Sequence, residues 1–369
     1  MTAFYQFLFV YKMRLLFTSF VSPKKPNTMS NYYPAFLLVL YLLTAVPVLH
    51  AQKDDAANSP VDWYTLEEAM QLREKNMRPL FIDVYTDWCG WCKKMMRTTF
   101  SRQDMANYLN TRYYPVRLNA ETHDTIRFRG KAYVNKGQGK RPTHQLAKKL
   151  LNNKLTYPTV VILDKKGKTY PIPGYIEPKD GMPVAAFFAE GNHRALQFKA
   201  YQKHYQNTLE AAAGKKADKI SWMTLEEALA ANKENPRGIF LHYYVDWNVS
   251  SGMLQQSTLQ NPVVAELVNT HFYPVKINAT TRDTLRFGKA YVNKGKAPSY
   301  HQLPAAMLQG DMRFPAMLFL NKNGKLVQSI QHFMTPENLE PILAYFGKAI
   351  YRKQEWAEFR KNYQSQLNP

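Results

Sequence analysis

Phe81-Ile82-Asp83-Val84-Tyr85-Thr86-Asp87-Trp88-Cys89-Gly90-Trp91-Cys92-Lys93-Lys94-Met95 is the stretch on which the reading of this chain turns. With Pro79 and Leu80 ahead of it, it opens as a short apolar run (PLFIDVY), expected to form a strand buried on both faces. It then reaches two cysteines three positions apart, where a helix is expected to begin and run through Met95 and Met96. A cysteine in the first turn of a helix meets unpaired backbone N–H groups and the positive end of the dipole, and both favour thiolate over thiol. Thiols so placed titrate at about 3.5–7.5 instead of about 8.5. Cys92 returns to the same helix face as Cys89, so a disulfide closes with little backbone movement. Cys89 is the expected exposed nucleophile and Cys92 the resolving thiol. The competing readings are half of a zinc site or a structural disulfide. Zinc wants four ligands, and His123 and His144 follow no ligand spacing, so no metal is expected.

Outward from this stretch the chain is organised by duplication. At an offset of 159 residues, Trp63-Tyr64-Thr65-Leu66-Glu67-Glu68-Ala69 recurs as Trp222-Met223-Thr224-Leu225-Glu226-Glu227-Ala228, and Asp87-Trp88 as Asp246-Trp247. Tyr114-Pro115-Val116-Arg117-Leu118-Asn119-Ala120 recurs as Tyr273-Pro274-Val275-Lys276-Ile277-Asn278-Ala279, and Pro158 pairs with Pro315. A period this long means two whole domains and not a solenoid. Each copy alternates helix and strand. Thr65 with Glu68, and Thr224 with Glu227, form the capping-box pattern of a helix start. Ser101 is expected to cap a helix through Met105 and Leu109. Tyr114–Asn119 and Thr159–Leu163 read as strands, and Asp164-Lys165-Lys166-Gly167-Lys168 as a hairpin turn. The expected linker is the polar, alanine-rich stretch Glu210–Lys219. Residues 52–212 then form the dithiol domain, and 213–369 a degenerate copy.

Residues 60–190 resemble a thioredoxin-fold domain. The stretch around the cysteines is especially similar to bacterial exported thioredoxin-like proteins, the broad family that includes the periplasmic reductase domain of DsbD-type proteins. Three separated features carry the likeness: Trp88-Cys89-Gly90-Trp91-Cys92-Lys93, the acidic Asp83 six positions before the first cysteine, and Tyr157-Pro158-Thr159 ahead of an apolar strand. The resemblance implies an α/β fold of two tandem α/β/α sandwiches, the second lacking the dithiol. It implies that Asp83 is a buried carboxylate assisting Cys92, and that Pro158 is cis and faces the dithiol. Trp88, Gly90, Trp91, Tyr157, Pro158 and Thr159 would line the substrate surface. The redox-active Cys89–Cys92 disulfide would serve with no further cofactor. Arg117 falls where the family often carries a lysine near the buried carboxylate. Trp91 replaces the usual proline between the cysteines. Potentials in such proteins run from about −270 to about −120 mV, so the direction of exchange stays open. The segment Glu121–Tyr157 is longer than in a minimal thioredoxin and is expected to add a helix or a lid.

The second copy acts as an internal control. At the dithiol positions it has Asn248-Val249-Ser250-Ser251, and His242 stands opposite Asp83. It cannot exchange disulfides. Features kept in both copies, such as His144 with His301 and Arg127-Phe128 with Arg286-Phe287, read as architecture. Ser250 and Ser251 lie in no Gly-x-Ser-x-Gly elbow, so a lost dithiol explains them better than a hydrolase.

The first 51 residues read as a targeting segment. Ala35–Leu49 is an uncharged apolar run, shorter than the ~20 residues of a membrane span, and polar Lys53-Asp54-Asp55 follows it. Cleavage is expected near Ala51, the alternative being an uncleaved anchor facing the periplasm. Residues 1–28 form either a long basic leader or an extension ahead of a start at Met29. The protein is therefore expected to be exported and periplasmic. The chain has 369 residues, 45% of them apolar, and a net charge of +21 spread along its length. That spread, together with export, argues against nucleic acid as a partner. Only two cysteines occur, whereas secreted proteins stapled by disulfides carry several pairs. The expected function is thiol–disulfide exchange with disulfide- or thiol-containing proteins, as a reductase or isomerase coupled to a membrane electron donor or acceptor. The alternatives are a chaperone-like binding module with a minor redox role and a metal carrier.

Overall fold

The computed structural model describes residues 59–212, 218–296 and 299–367. The apolar run Ala35–Leu49 and the expected cleavage site near Ala51 lie outside these residues. Among the described residues no helix is long and apolar enough to cross a membrane.

In the first copy, α1 (Leu66–Lys75) begins at the expected box. Thr65 Oγ1 accepts the Glu68 N–H at 3.2 Å, and the Glu68 carboxylate accepts the Thr65 N–H at 2.8 Å. Then come β1 (Leu80–Tyr85), α2 (Gly90–Thr98), α3 (Gln103–Arg112), β2 (Tyr114–Asn119) and a small hairpin of β3 (Ile126–Phe128) and β4 (Lys131–Tyr133). The copy continues with α4 (Gln145–Leu150), β5 (Thr159–Leu163), β6 (Thr169–Pro173), α5 (Pro178–Ala189) and a long α6 (Phe198–Ala212). The sheet order is β2-β1-β5-β6, with β1 parallel to β2 and antiparallel to β5. The expected turn joins β5 to β6. Gly167 sits at φ +85°, a left-handed value that only glycine takes without cost, and Asp164 Oδ1 accepts the Lys168 N–H at 2.8 Å.

Alternation along β1 makes the three layers. Phe81 packs with Met95 and Met96 of α2 and Leu109 of α3, while Leu80, Ile82 and Val84 pack with Leu66 of α1 and Leu146 and Leu150 of α4. The second copy repeats the plan with α7 (Leu225–Glu234), β7 (Gly238–Tyr244), α8 (Val249–Gln256), α9 (Pro262–His271), β8 (Phe272–Asn278), β9 (Leu285–Phe287) and β10 (Lys289–Tyr291). It ends with α10 (Gln302–Met307), β11 (Ala316–Leu320), β12 (Leu326–Ile330), α11 (Pro336–Gly347) and α12 (Trp356–Asn362). Its sheet order is β8-β7-β11-β12, the same as in the first copy.

Two local expectations need correction. Ser101 does not cap α3: its hydroxyl donates to the Arg97 carbonyl at 2.6 Å, closing the end of α2, and Arg102 is the extended residue before α3. The linker is shorter than Glu210–Lys219, because α6 runs to Ala212. Alanine is the strongest helix former, so Ala211 and Ala212 extend the helix that precedes them. The long segment Glu121–Tyr157 carries a helix, α4, as expected of it, together with the β3–β4 hairpin, and the second copy has the same pieces.

The copies share one core. The cluster around Phe81 continues through Phe187 and Tyr201 to Met253 and Phe333, with the rings of Tyr201 and Phe333 6.0 Å apart.

Candidate functional site

Cys89 and Cys92 are joined by a disulfide, with S–S 2.07 Å and Cα–Cα 5.3 Å. Cys89 is the N-cap of α2: its backbone is extended and its Sγ accepts the Cys92 N–H at 3.1 Å. Sulfur thus stands where helices usually place an oxygen, on one of the orphan N–H groups of the first turn. The expectation of an exposed Cys89 is not met, since Cys89 is 5% exposed and Cys92 4%. The reason is the bond itself. Cys92 lies on the buried face of α2 with Met95 and Met96, and Cys89 turns back over the helix end to reach it.

Asp83 is 1% exposed. By alternation it points to the same side of β1 as Phe81, the side on which α2 and its buried Cys92 pack. Arg117, its partner in the β1–β2 register, brings Nε to 3.6 Å from Asp83 Oδ2 and lays its guanidinium over the Tyr85 ring at 3.9 Å. In the second copy His242 and Lys276 hold the same register positions, but Lys276 Nζ pairs outward with Asp218 at 3.3 Å. His242 is buried against Trp222 and Tyr244, and that burial, with a smaller push from Lys276, lowers its imidazole to about 3.

A pH dependence follows. Between its ordinary value of 6.5 and about 3, the unfolded chain protonates His242 and the folded chain does not, so stability falls as pH drops through that window. The expected loss between about pH 7 and pH 4.5 is of the order of 3 kcal/mol. Urea unfolding of His242→Leu should lack this increment. Equal losses in the variant and the parent would mean that the imidazole is not held neutral.

The loops around the dithiol meet through their rings. Tyr157-Pro158 is a cis peptide bond, and Phe314-Pro315 matches it in the second copy. The Tyr157 ring stands edge-on to Trp88 at 6.2 Å, which brings the loop before Pro158 beside the residue before Cys89. Pro158 is buried, and the Thr159 hydroxyl donates to the Thr156 carbonyl at 2.7 Å, so it holds its own loop. Gly90 is exposed, and a side chain built there would meet open space. Trp88 is 50% exposed and Trp91 57%. Trp88 Nε1 donates to Glu121 at 2.9 Å, and Trp91 leans on Tyr175 at 5.4 Å.

His144 is architecture, as its repeat implied. Its Nδ1 accepts the Leu146 N–H at 3.2 Å to cap α4, and Nε2 lies 3.1 Å from the Asp124 carbonyl. His301 does the same at 3.1 and 3.0 Å. Among the described residues no three His, Cys, Asp or Glu side chains converge to hold a metal.

Sequence reasoning missed the use made of the second copy's dithiol position. Asn248 replaces Cys89 in the cap, its Oδ1 accepting the Ser251 N–H at 2.6 Å. The orphan N–H groups of Val249 and Ser250 donate, both at 2.9 Å, to the carboxylate of Glu190, the residue that ends α5 of the first copy. Glu190 also accepts from Tyr108 at 2.8 Å and from the Ser250 hydroxyl. Burial pushes its carboxyl upward against these donors. Asn192 completes the seat, donating to Ser250 Oγ at 2.8 Å and accepting the Phe333 N–H at 3.1 Å. The Arg112 guanidinium lies 3.1 Å over the Trp247 ring. A helix end that would face a substrate in an active copy thus receives a carboxylate from its own chain. The signal lay in the repeat: the position of Glu190 is Lys348 in the second copy, an acid with no counterpart.

Two family models match the chain, one in each copy. A thioredoxin-like domain model matches residues 66–189, and a second thioredoxin-like model matches residues 221–321. The chain is similar to an uncharacterized protein of Caenorhabditis elegans, 31% identical over 71 residues, which is 19% of this chain and 10% of that protein. It is also similar to spermatogenesis-associated protein 20 of Rattus norvegicus, 32% identical over 71 residues, 19% of this chain and 9% of that one. The chain therefore spans about a tenth of the length of these curated relatives. Among solved structures, the reduced DsbD C-terminal domain of Neisseria meningitidis is 20% identical, covering 33% of this chain and 93% of that one, with a TM-score of 0.24. The two family matches fall on the two copies of the repeat, and the chain belongs to the thioredoxin-like family as a tandem pair of domains, the first with a Cys-x-x-Cys disulfide and the second without.

Proposed function

We propose that this protein is a thiol–disulfide oxidoreductase that exchanges disulfides with protein substrates through Cys89 and Cys92, as a reductase or isomerase. The observation that carries the reading is the place of the pair: a closed disulfide at the N-cap of α2, with Cys89 sulfur on a first-turn N–H. In the reduced enzyme the Cys89 thiolate attacks a substrate disulfide. A Cys89–substrate bond forms, and one substrate sulfur leaves as thiolate and takes a proton. Cys92, deprotonated, attacks Cys89 and releases the second substrate sulfur. The substrate gains two electrons and the enzyme ends as the Cys89–Cys92 disulfide. A dithiol donor returns those electrons, and for an exported protein that donor is membrane-borne. Support for export is the Ala35–Leu49 run ahead of polar Lys53-Asp54-Asp55.

The test is the equilibrium potential of the couple, titrated against glutathione or dithiothreitol with thiol trapping. A value near about −270 mV makes the protein a reductase, and one near about −120 mV an oxidant. Failure of the pair to cycle would sink the enzymatic reading.

Asp83 is the proposed proton acceptor for Cys92, supported by its burial on the face that α2 covers. Asp83→Asn should slow release of the mixed disulfide on the order of 10²-fold near neutral pH, with a smaller deficit at high pH where Cys92 ionises unaided. Stopped-flow exchange across pH reads this. A deficit independent of pH would make Asp83 a packing residue.

A further inference from the structure

We propose that the surface around Cys89–Cys92 selects acidic polypeptide segments as clients, a reading that rests on the exchange activity proposed above. Trp88 and Trp91 flank the dithiol and stand among the most exposed large apolar side chains of the described residues. Each carries a cation on its ring. The Arg141 guanidinium is 5.0 Å from the Trp88 centroid, and Lys94 Nζ is 4.7 Å from that of Trp91 and 5.1 Å from that of Tyr175. Lys93 and Arg97 add two exposed cations on α2. Among the described residues none of the four forms an ion pair with a carboxylate.

The acids nearby are fewer and already engaged. Glu121 accepts from Trp88, Asp87 accepts from Asn119 at 3.0 Å, and Glu177 pairs with Lys179 at 3.1 Å. The rim of the dithiol is therefore net positive, with aromatic faces between its charges.

The duplication shows that this set goes with the dithiol. Where the first copy has Lys93, Lys94, Arg97 and Arg141, the second has Gly252, Met253, Gln256 and Pro298, and Trp91 becomes Ser250. The helix itself is kept as α8. Cations that served only solubility would have no reason to follow the cysteines. A client strand with Asp or Glu beside its disulfide would meet Arg and Lys at hydrogen-bonding range while its apolar groups lie on the two indoles. Such a rim also steers acidic clients, by a factor of ~10 to ~10³ in association rate at low ionic strength.

The alternative use of the same cations is to lower the Cys89 pKa, which would speed exchange with every substrate alike. A ratio separates the two. The full chain would be assayed on two cyclic peptide disulfides of the same length and ring size, one flanked by Glu and the other by Lys. Dithiothreitol is the electron source, with the uncatalysed rate subtracted. The expected result is a kcat/KM ratio favouring the Glu peptide by ~10-fold or more at low salt, shrinking towards one at about 0.3 M salt. The Lys93→Gln, Lys94→Gln, Arg97→Gln, Arg141→Gln combination should bring the ratio close to one at low salt. Reduction of both peptides at equal rates by the parent protein overturns the client preference and leaves the exchange activity standing. An unchanged ratio in the quadruple variant, with both rates lowered together, also overturns it and assigns the cations to thiol activation. If neither peptide is reduced, the activity fails and the preference falls with it.

Discussion

Cys92→Ser should turn the protein into a covalent trap, recovered with substrate joined to Cys89 as an adduct that survives on a non-reducing gel and disappears with dithiothreitol. The Cys92 sulfur is held one helical turn from Cys89, 5.3 Å between Cα atoms, so its proposed attack on a Cys89 mixed disulfide is intramolecular. Removing it leaves release to external thiols, and groups positioned this way are worth effective concentrations of roughly 10⁵ M and above. Release should slow by at least ~10³-fold at millimolar external thiol. Cys89→Ser should give no adducts at all and lose exchange to a similar degree. The pair of variants also separates the enzyme from the binding module. If client capture persists unchanged in Cys89→Ser, the dithiol is incidental and the chain is a binding protein with a minor redox role. Mass spectrometry of the trapped species would name the clients, and acidic sequence around their cysteines would bear directly on the charged rim.

The second large effect is expected at Glu190, where the first copy meets the start of α8. Its carboxylate is buried and takes four donors: two backbone N–H groups at the start of α8, the Ser250 hydroxyl and the Tyr108 hydroxyl. Glu190→Ala takes this acceptor from all four donors and opens a gap between the two copies. Loss of one partner from a buried, charge-assisted network costs roughly 3–5 kcal/mol. For domains of this size that lowers the melting temperature by the order of 10 °C. Protease cleavage between the copies, near residue 212, should accelerate in parallel. Glu190→Gln retains an acceptor of the same shape and should lose less than half as much. A Glu190→Ala protein that melts and resists proteolysis like its parent would mean that the apolar contact of Tyr201 and Phe333 holds the copies together without the carboxylate. The dithiol lies in the first copy, so a moderate loss of exchange in Glu190→Ala would show that the second copy supports the active domain by holding its α5–α6 end in place.

These predictions sit on either side of what the chain discloses before it folds. The capping boxes at Thr65 and Thr224, strands β1, β2 and β5, the Gly167 turn and the dithiol at a helix start were all legible in the sequence. Each is decided by groups within a few residues of one another: a hydroxyl three positions from an N–H, a left-handed glycine, a thiol in a first turn. The duplication was legible because it is a property of the string itself, and it sorted His144 from the cysteines before either was placed. The cis bond at Pro158 and the burial of Asp83 came from family resemblance and not from local rules. Tertiary structure alone decided the rest. Ser101 turned back to Arg97 in preference to starting α3, since a hydroxyl has several acceptors in reach and packing selects one. Cys89 was closed off because its sulfur is drawn to a partner on the inner face of α2. Glu190 found the second copy's helix end 60 residues away, in a register set by the shared core of Tyr201, Met253 and Phe333. Spacing along a chain carries the short-range choices, because those energies depend on neighbours. A buried carboxylate is stable only where several donors converge from separate elements, and that convergence exists only once the two copies have packed.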